Sequence, residues 1–223
     1  MLLFSITFST LKRAMIKILI ADDHIVVRKG LRQILVENFT GAIVEDVSDG
    51  EELLKKVFKE SWDVVISDLS MPGRSGLEIV PQIKQSFPKL PILILSIHSE
   101  DQYALRALKA GASGYLSKDA APDELINAVQ RVLLGKKYIT PSVAEKLANN
   151  INQDTERHAF ENLSDREFDV FKQLASGKTV SEIADILSLS VTTVSTYRSR
   201  IMSKMMVKTN ADLTLYAVEH KLI

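Results

Sequence analysis

The sequence predicts two domains of different class: a doubly wound α/β domain with a five-stranded parallel sheet, then a small all-α domain. Three observations carry this. Short apolar runs alternate five times with amphipathic segments over residues 16–133, the pattern of βα units. The polar stretch Asn149-Asn-Ile-Asn-Gln-Asp-Thr-Glu-Arg157 then offers almost nothing to bury. Beyond it, Ser164-Asp-Arg-Glu167 and Thr179-Val-Ser-Glu182 are capping boxes that open short helices. A chain of 223 residues can give each domain a core.

The elements follow in order. Ile16–Ala21 reads as a buried strand running into Asp22-Asp23, and Val26–Val36 as an amphipathic helix with apolar residues at 27, 31, 34 and 35. Then come strand Ala42–Val47, helix Gly50–Lys59, strand Asp63–Asp68, a helix from Gly76 to Phe87 interrupted by Pro81, strand Pro91–Ser96, helix Glu100–Ala110 and strand Ser113–Ser117. The last helix of this domain opens at Pro122, with Asp123-Glu124 suited to its first turn. Residues 15–135 make up the α/β domain, 136–159 a linker with a short helix at Ser142–Asn149, and 160–223 the helical domain. Residues 1–14 are an extension: Lys12 and Arg13 follow its apolar run instead of preceding it as in a secretory signal, and Met15 is an alternative start.

Composition narrows the chemistry. Twenty-eight Lys and Arg balance 28 Asp and Glu, so attraction to nucleic acid must be local. The absence of cysteine excludes disulfides, thiolate metal sites and a cysteine nucleophile, and fits a cytoplasmic protein. No apolar run approaches the roughly 18 residues needed to span a bilayer, so no membrane partner is expected. The four histidines lack metal-ligand spacing among themselves and read as structural or surface residues, and Trp62 as packing where its helix meets the sheet.

Four strand ends carry polar residues: Asp22-Asp23, Asp68, Ser96 and Lys118. In a parallel sheet these share one edge, the edge where ligands bind. Crowded carboxylates need a hard cation, and oxygen ligands with open water positions suit Mg2+. Such an ion beside a carboxylate and a lysine makes a phosphoryl-transfer centre. Asp68 would be the nucleophile forming an acyl phosphate, Lys118 would pair with phosphoryl oxygens, and the Ser96 hydroxyl could donate to one of them.

These residues, with Asp68-Leu-Ser-Met-Pro-Gly-Arg-Ser-Gly76 and Gly111-Ala-Ser-Gly-Tyr-Leu-Ser-Lys118, resemble the receiver domain of bacterial two-component response regulators, which has a flavodoxin-like fold. The resemblance covers residues 16–135. It implies that Asp68 takes a phosphoryl group from a sensor histidine kinase. It also implies that Asp23 and Asp68 bind Mg2+ directly, Asp22 through water and Ser70 through its main-chain carbonyl. Ser96 and Tyr115 would be the switch pair, the hydroxyl moving toward the phosphoryl group and the ring turning inward. Asp119 stands where many receivers have proline, often cis, so that isomer is not assumed there.

In the helical domain the third helix is the informative one. Ser190 caps it; Val191, Val194, Ile201 and Met205 should face the core, with Tyr197 and Met202 flanking. Thr192, Ser195, Thr196, Ser199, Arg200, Ser203 and Lys204 then face outward, with Arg198 near the edge. Residues 160–223 hold eight basic and eight acidic residues, yet 191–208 contains Arg198, Arg200, Lys204 and Lys208 and no acid. Segregated charge of this kind suits a recognition helix in the major groove. Asn210 is expected to cap a fourth helix, Ala211–Lys221.

Leu163-Ser-Asp-Arg-Glu167, Ser181-Glu-Ile-Ala184, Thr193-Val-Ser-Thr-Tyr-Arg198 and Ile201-Met-Ser-Lys204 resemble the LuxR-type helix-turn-helix effector of the nitrate/nitrite and nitrogen-fixation regulators. By position, Ser195, Thr196 and Ser199 would approach bases, and Thr192, Arg198, Lys204 and Lys208 phosphates. Ser195, Tyr197 and Met205-Met206 depart from the Lys, His and Leu-Gly frequent in that family. The two resemblances together imply a phosphorylation-controlled transcription regulator that binds double-stranded promoter DNA, dimerises when phosphorylated or DNA-bound, and has RNA polymerase as a further candidate partner. It would not be an enzyme beyond its own phosphoryl transfer and dephosphorylation. Two rivals stand beside this reading: a phosphorylation-independent regulator whose receiver serves dimerisation, and a Mg2+-dependent aspartyl-phosphate phosphatase.

Overall fold

A computed structural model describes residues 15–72, 74–145 and 159–223. The predicted extension at 1–14, Gly73, His158 and most of the polar linker lie outside them, as does the end of the helix expected at Ser142–Asn149, of which 142–145 is helical, the helix beginning one residue earlier at Pro141. Strands β1 (Lys17–Ala21), β2 (Ile43–Val47), β3 (Val64–Asp68), β4 (Ile92–Ser96) and β5 (Gly114–Ser117) form one parallel sheet in the order β2-β1-β3-β4-β5. Strand β3 is buried at all five positions, as is β4, because helices cover both faces.

The twofold alternation of strand side chains sorts the core into two halves. Ile18, Ile20, Val64 and Ile66 pack with Leu35 of helix α1 (Ile25–Asn38) and with Leu125 and Val129 of α5 (Pro122–Leu133). Leu19, Val65 and Ile94 point the other way, onto α2 (Gly50–Lys59), α3 (Gly76–Ser86) and α4 (Glu100–Ala110). Helix α3 runs through Pro81, which lies exposed on its solvent side. Trp62 is buried and donates its indole N–H to the Lys56 carbonyl, the packing role expected of it. No cis peptide occurs among the described residues.

The second domain holds a 3-10 turn at Ala159–Asn162 and helices α6 (Asp165–Ala175), α7 (Val180–Ile186), α8 (Val191–Met205) and α9 (Asn210–Glu219). Both expected capping boxes form, at Ser164 with Glu167 and at Thr179 with Glu182, and Ser190 caps α8. Two expectations change. The cap of α9 is Thr209, boxed with Asp212, while Asn210 turns its carbonyl oxygen to the Arg198 guanidinium. Val191 is 50% exposed, because the first turn of α8 projects beyond the helical core that Val194, Ile201 and Met205 enter.

Candidate functional site

The sheet brings the strand-end residues to one corner. Asp22 is 1% exposed and Asp68 4%. Lys118, just beyond β5, reaches between them, its Nζ 2.7 Å from Asp22 Oδ2 and 2.8 Å from Asp68 Oδ2. Asp22 Oδ2 is buried, and the Lys118 ammonium is the partner that balances its charge. Burial pushes the Asp68 carboxyl up to about 6 against the downward pull of Lys118. Burial also works to lower the Lys118 ammonium, but its bonds to Asp22 and Asp68 more than offset this and raise it.

One ligand atom each from Asp22, Asp23, His24 and Asp68 lies within 4.8 Å of the others. This oxygen-rich set fits a hard divalent cation. His24 belongs to the cluster, with Nδ1 2.7 Å from Asp23 Oδ1 and 3.3 Å from Asp22 Oδ1. Spacing among histidines gave no sign of this, because its partners are the two acids directly before it. Gly76 supports the corner by having no side chain: a Cβ there would lie 2.3 Å from the Asp68 carbonyl oxygen.

Ser96 is fully buried at the end of β4, and its hydroxyl accepts from the His98 amide at 3.0 Å. Tyr115 is 2% exposed and donates to the His98 carbonyl at 2.8 Å, so its ring lies inward. The Ser70 amide donates to Asp68 Oδ1 at 3.3 Å, and the Ser70 hydroxyl meets His98 Nε2 at 3.1 Å. Burial, with Lys172 and Lys118 nearby, lowers the His98 imidazole.

On α8, Thr192, Ser195, Thr196, Ser199, Arg200, Ser203, Lys204 and, beyond its end, Lys208 are exposed. The cations differ in their attachments. Arg198 is half-buried and donates through Nε to Asn210 at 2.9 Å, and Lys204 lies 2.6 Å from Glu167 Oε2. Thr196 returns its hydroxyl to the Thr192 carbonyl at 3.0 Å.

The two domains share one apolar cluster. The α4 face carries the contact: the Tyr103 hydroxyl donates to Asp169 at 2.8 Å, and Arg106 donates to the carbonyls of Phe160 at 2.7 Å and Leu163 at 3.0 Å. Arg106 also covers the Phe168 ring at 4.1 Å. Arg166 donates to the Met71 carbonyl at 3.3 Å, beside the Asp68 loop. None of these contacts was expected from the sequence.

Comparison with known proteins agrees with this geometry. Residues 18–130 match the response regulator receiver domain and residues 161–217 the bacterial regulatory proteins of the luxR family. The response regulator UvrY of Escherichia coli K12 is 37% identical over 209 residues, 93% of this chain and 96% of that protein. The oxygen regulatory protein NreC of Staphylococcus carnosus is 39% identical over 214 residues, 93% of this chain and 99% of that one. A structure of the Salmonella typhimurium response regulator RcsB is similar at TM-score 0.63 with 29% identity, over 92% of this chain and 98% of that chain. An RcsB–DNA complex is similar at TM-score 0.56 with 30% identity, over the same shares. With a receiver and a DNA-binding domain matched in that order along nearly the whole chain, this protein belongs to the LuxR-family response regulators and is a DNA-binding regulator of transcription.

Proposed function

We propose that Asp68 is the phosphoacceptor of this regulator and that its phosphorylation by a sensor histidine kinase controls the binding of α8 to promoter DNA. The observation that carries the reading is the pairing of a buried carboxylate whose proton affinity is raised with a lysine 2.8 Å away, inside a cluster that fits a divalent cation. Asp23 and Asp68 would hold Mg2+ with the Ser70 carbonyl, and Asp22 through water; such an ion would supply positive charge to neutralise the transferred oxygens. Asp68 in its ionised form attacks phosphorus as the P–N bond to the kinase histidine breaks, and the electron pair leaves with the imidazole. Lys118 balances the oxygens of the acyl phosphate, Ser96 donates to one of them, and Tyr115 fills the space beside β5.

In the DNA complex Ser195, Thr196 and Ser199 meet base edges, and Thr192, Arg198, Arg200, Lys204 and Lys208 meet phosphates. Residues 15–135 act as the receiver, 136–159 as linker and 160–223 as effector, in a cytoplasmic protein that pairs into a homodimer on two half-sites. No helix among the described residues is long and apolar enough to cross a membrane.

The test is labelling with acetyl phosphate and Mg2+, together with selection of genomic fragments by the purified protein. The wild type forms a hydroxylamine-labile acyl phosphate and Asp68→Asn forms none; labelling that persists in the variant removes Asp68 as acceptor. A second reading, DNA binding independent of phosphorylation, draws on the exposed polar face of α8. It predicts equal fragment affinity for wild type and Asp68→Asn with or without phosphodonor.

A further inference from the structure

His98 lies two residues beyond Ser96, outside every strand and helix, and neither the acyl-phosphate chemistry nor the DNA contacts call on it. Yet four groups with different tasks converge on it. Its amide donates to the Ser96 hydroxyl at 3.0 Å, and its carbonyl accepts from the Tyr115 hydroxyl at 2.8 Å. Its Nε2 meets the Ser70 hydroxyl at 3.1 Å, and Ser70 is the residue whose amide donates to Asp68. The face of its ring stacks on Tyr103, with centroids 4.9 Å apart and planes 24° from parallel. Tyr103 in turn meets the effector twice, edge-on to Phe168 at 5.4 Å and by its hydroxyl to Asp169 at 2.8 Å.

These contacts form a continuous path from the Asp68 loop to the effector. At each step the bond partner is buried or half-buried, so a displacement cannot be absorbed by water. Loading Asp68 adds charge beside the Ser96 hydroxyl and the Ser70 main chain, the groups that hold His98 from the receiver side. We infer that His98 is a positioning residue that passes the state of the Asp68 loop to the docked effector. Its backbone is held by Ser96 and Tyr115, and its ring fixes Tyr103 against Asp169. By linkage the coupling is reciprocal, so docking through Tyr103 also biases the Asp68 loop. A purely structural role for His98 would leave domain placement equally responsive after its removal.

The inference rests on Asp68 being the acceptor, and the experiment separates the two. The chain has no cysteine, so an engineered pair at exposed positions, Lys55→Cys on α2 and Glu219→Cys on α9, can be spin-labelled uniquely in the full-length protein. Distances between the labels are measured with Mg2+, with and without beryllofluoride, while occupancy of Asp68 is read independently by fluorine NMR of the bound beryllofluoride. The labelled parent shows a shifted distance distribution on loading, and His98→Ala loads Asp68 but loses the shift. If the parent fails to load, the acceptor assignment fails. If it loads without a shift, or if His98→Ala shifts as the parent does, the coupling role is overturned. Should His98→Ala undock the effector outright, Ser70→Ala decides, since it keeps the ring stack: a diminished shift supports the role and a full one overturns it.

Discussion

The acidic corner of the receiver and the outer face of α8 hold their functional groups in opposite ways. At the corner, Asp68 and Asp22 are almost wholly buried and Lys118 bridges them, so charge is kept away from water and its position is set by strand ends. On α8 the polar groups stand in water, and two of the cations are occupied by partners of the same domain, Asn210 and Glu167. A buried cluster gains strength from low dielectric and pays for it in desolvation, whereas an exposed face stays available because it is weakly committed. Reaction geometry therefore depends on packing, and DNA affinity depends on competition for side chains.

If that contrast is right, a change that adds one carbon near Asp68 outweighs removal of a whole cation from α8. Gly76→Ala puts a Cβ 2.3 Å from the Asp68 carbonyl oxygen, so either α3 or the strand end must shift. Chemical denaturation should show a loss of about 1–3 kcal/mol, the cost of overpacking, with acetyl phosphate labelling reduced as well. Unchanged stability and labelling would mean that the corner is not rigid. Arg200→Ala, by contrast, removes an exposed cation and should leave stability within about 0.5 kcal/mol. Its effect belongs in the salt dependence of DNA binding, whose log–log slope should fall by about 0.9. A slope equal to that of the parent would place Arg200 away from phosphate.

One of the three left-handed non-glycine residues described in the effector, Met206, gives a smaller effect. Met206 ends α8 in the left-handed region at φ 54° and is 89% exposed, at a position where related effectors often carry glycine. Met206→Gly relieves that conformation at the expense of a more flexible unfolded chain, and thermal melts should show roughly 0.5–1 kcal/mol of added stability. It removes no DNA-facing group, so the salt slope should stay constant. The pair of variants thus tests whether stability and affinity separate on α8 as they do not at Asp68.

The corner was legible because strand periodicity and turn residues mark where each strand stops, and the residue at that point is fixed to one edge of the sheet. Asp22, Asp23, Asp68, Ser96 and Lys118 all arrive there for this local reason. Helix caps were legible for the same reason, since Ser164 and Thr179 bond groups three residues away. The cap of α9 was misread because Thr209 and Asn210 are both good caps, and the choice depends on Arg198 of another helix claiming Asn210. Contacts between the domains were not legible. Tyr103 and Asp169 are 66 residues apart, and no periodicity relates the α4 face to the α6 face. His98 escaped for a related reason, since its partners are hydroxyls and a ring brought near by the fold, whereas His24 escaped because its partners are the two acids directly before it and not other histidines.

The smallest expected effect concerns the one cation that both regimes claim. Lys204 faces outward on α8, yet its Nζ sits 2.6 Å from Glu167 Oε2, and the Glu167 side chain is only 4% exposed. Burial works to raise the Glu167 carboxyl, but the bonds from Lys204 and from the Ser164 amide and hydroxyl prevail and hold it below the usual range. A carboxyl lowered in the folded state stabilises above its unfolded value, about 4.3, and loses that contribution as pH falls through the lower folded value. Parent and Lys204→Ala should therefore differ in unfolding free energy by a constant amount near neutrality, and the difference should shrink as pH drops below about 4.3. Denaturant titrations across pH 7 to 3 read this directly, and a pH-independent difference would assign the pair to packing alone. The same competition sets a sign on DNA: Glu167→Gln removes the charge that draws Lys204 inward, so at neutral pH it should tighten binding in a salt-dependent manner, whereas weaker binding would show that Glu167 orients Lys204 for the phosphate instead of withholding it.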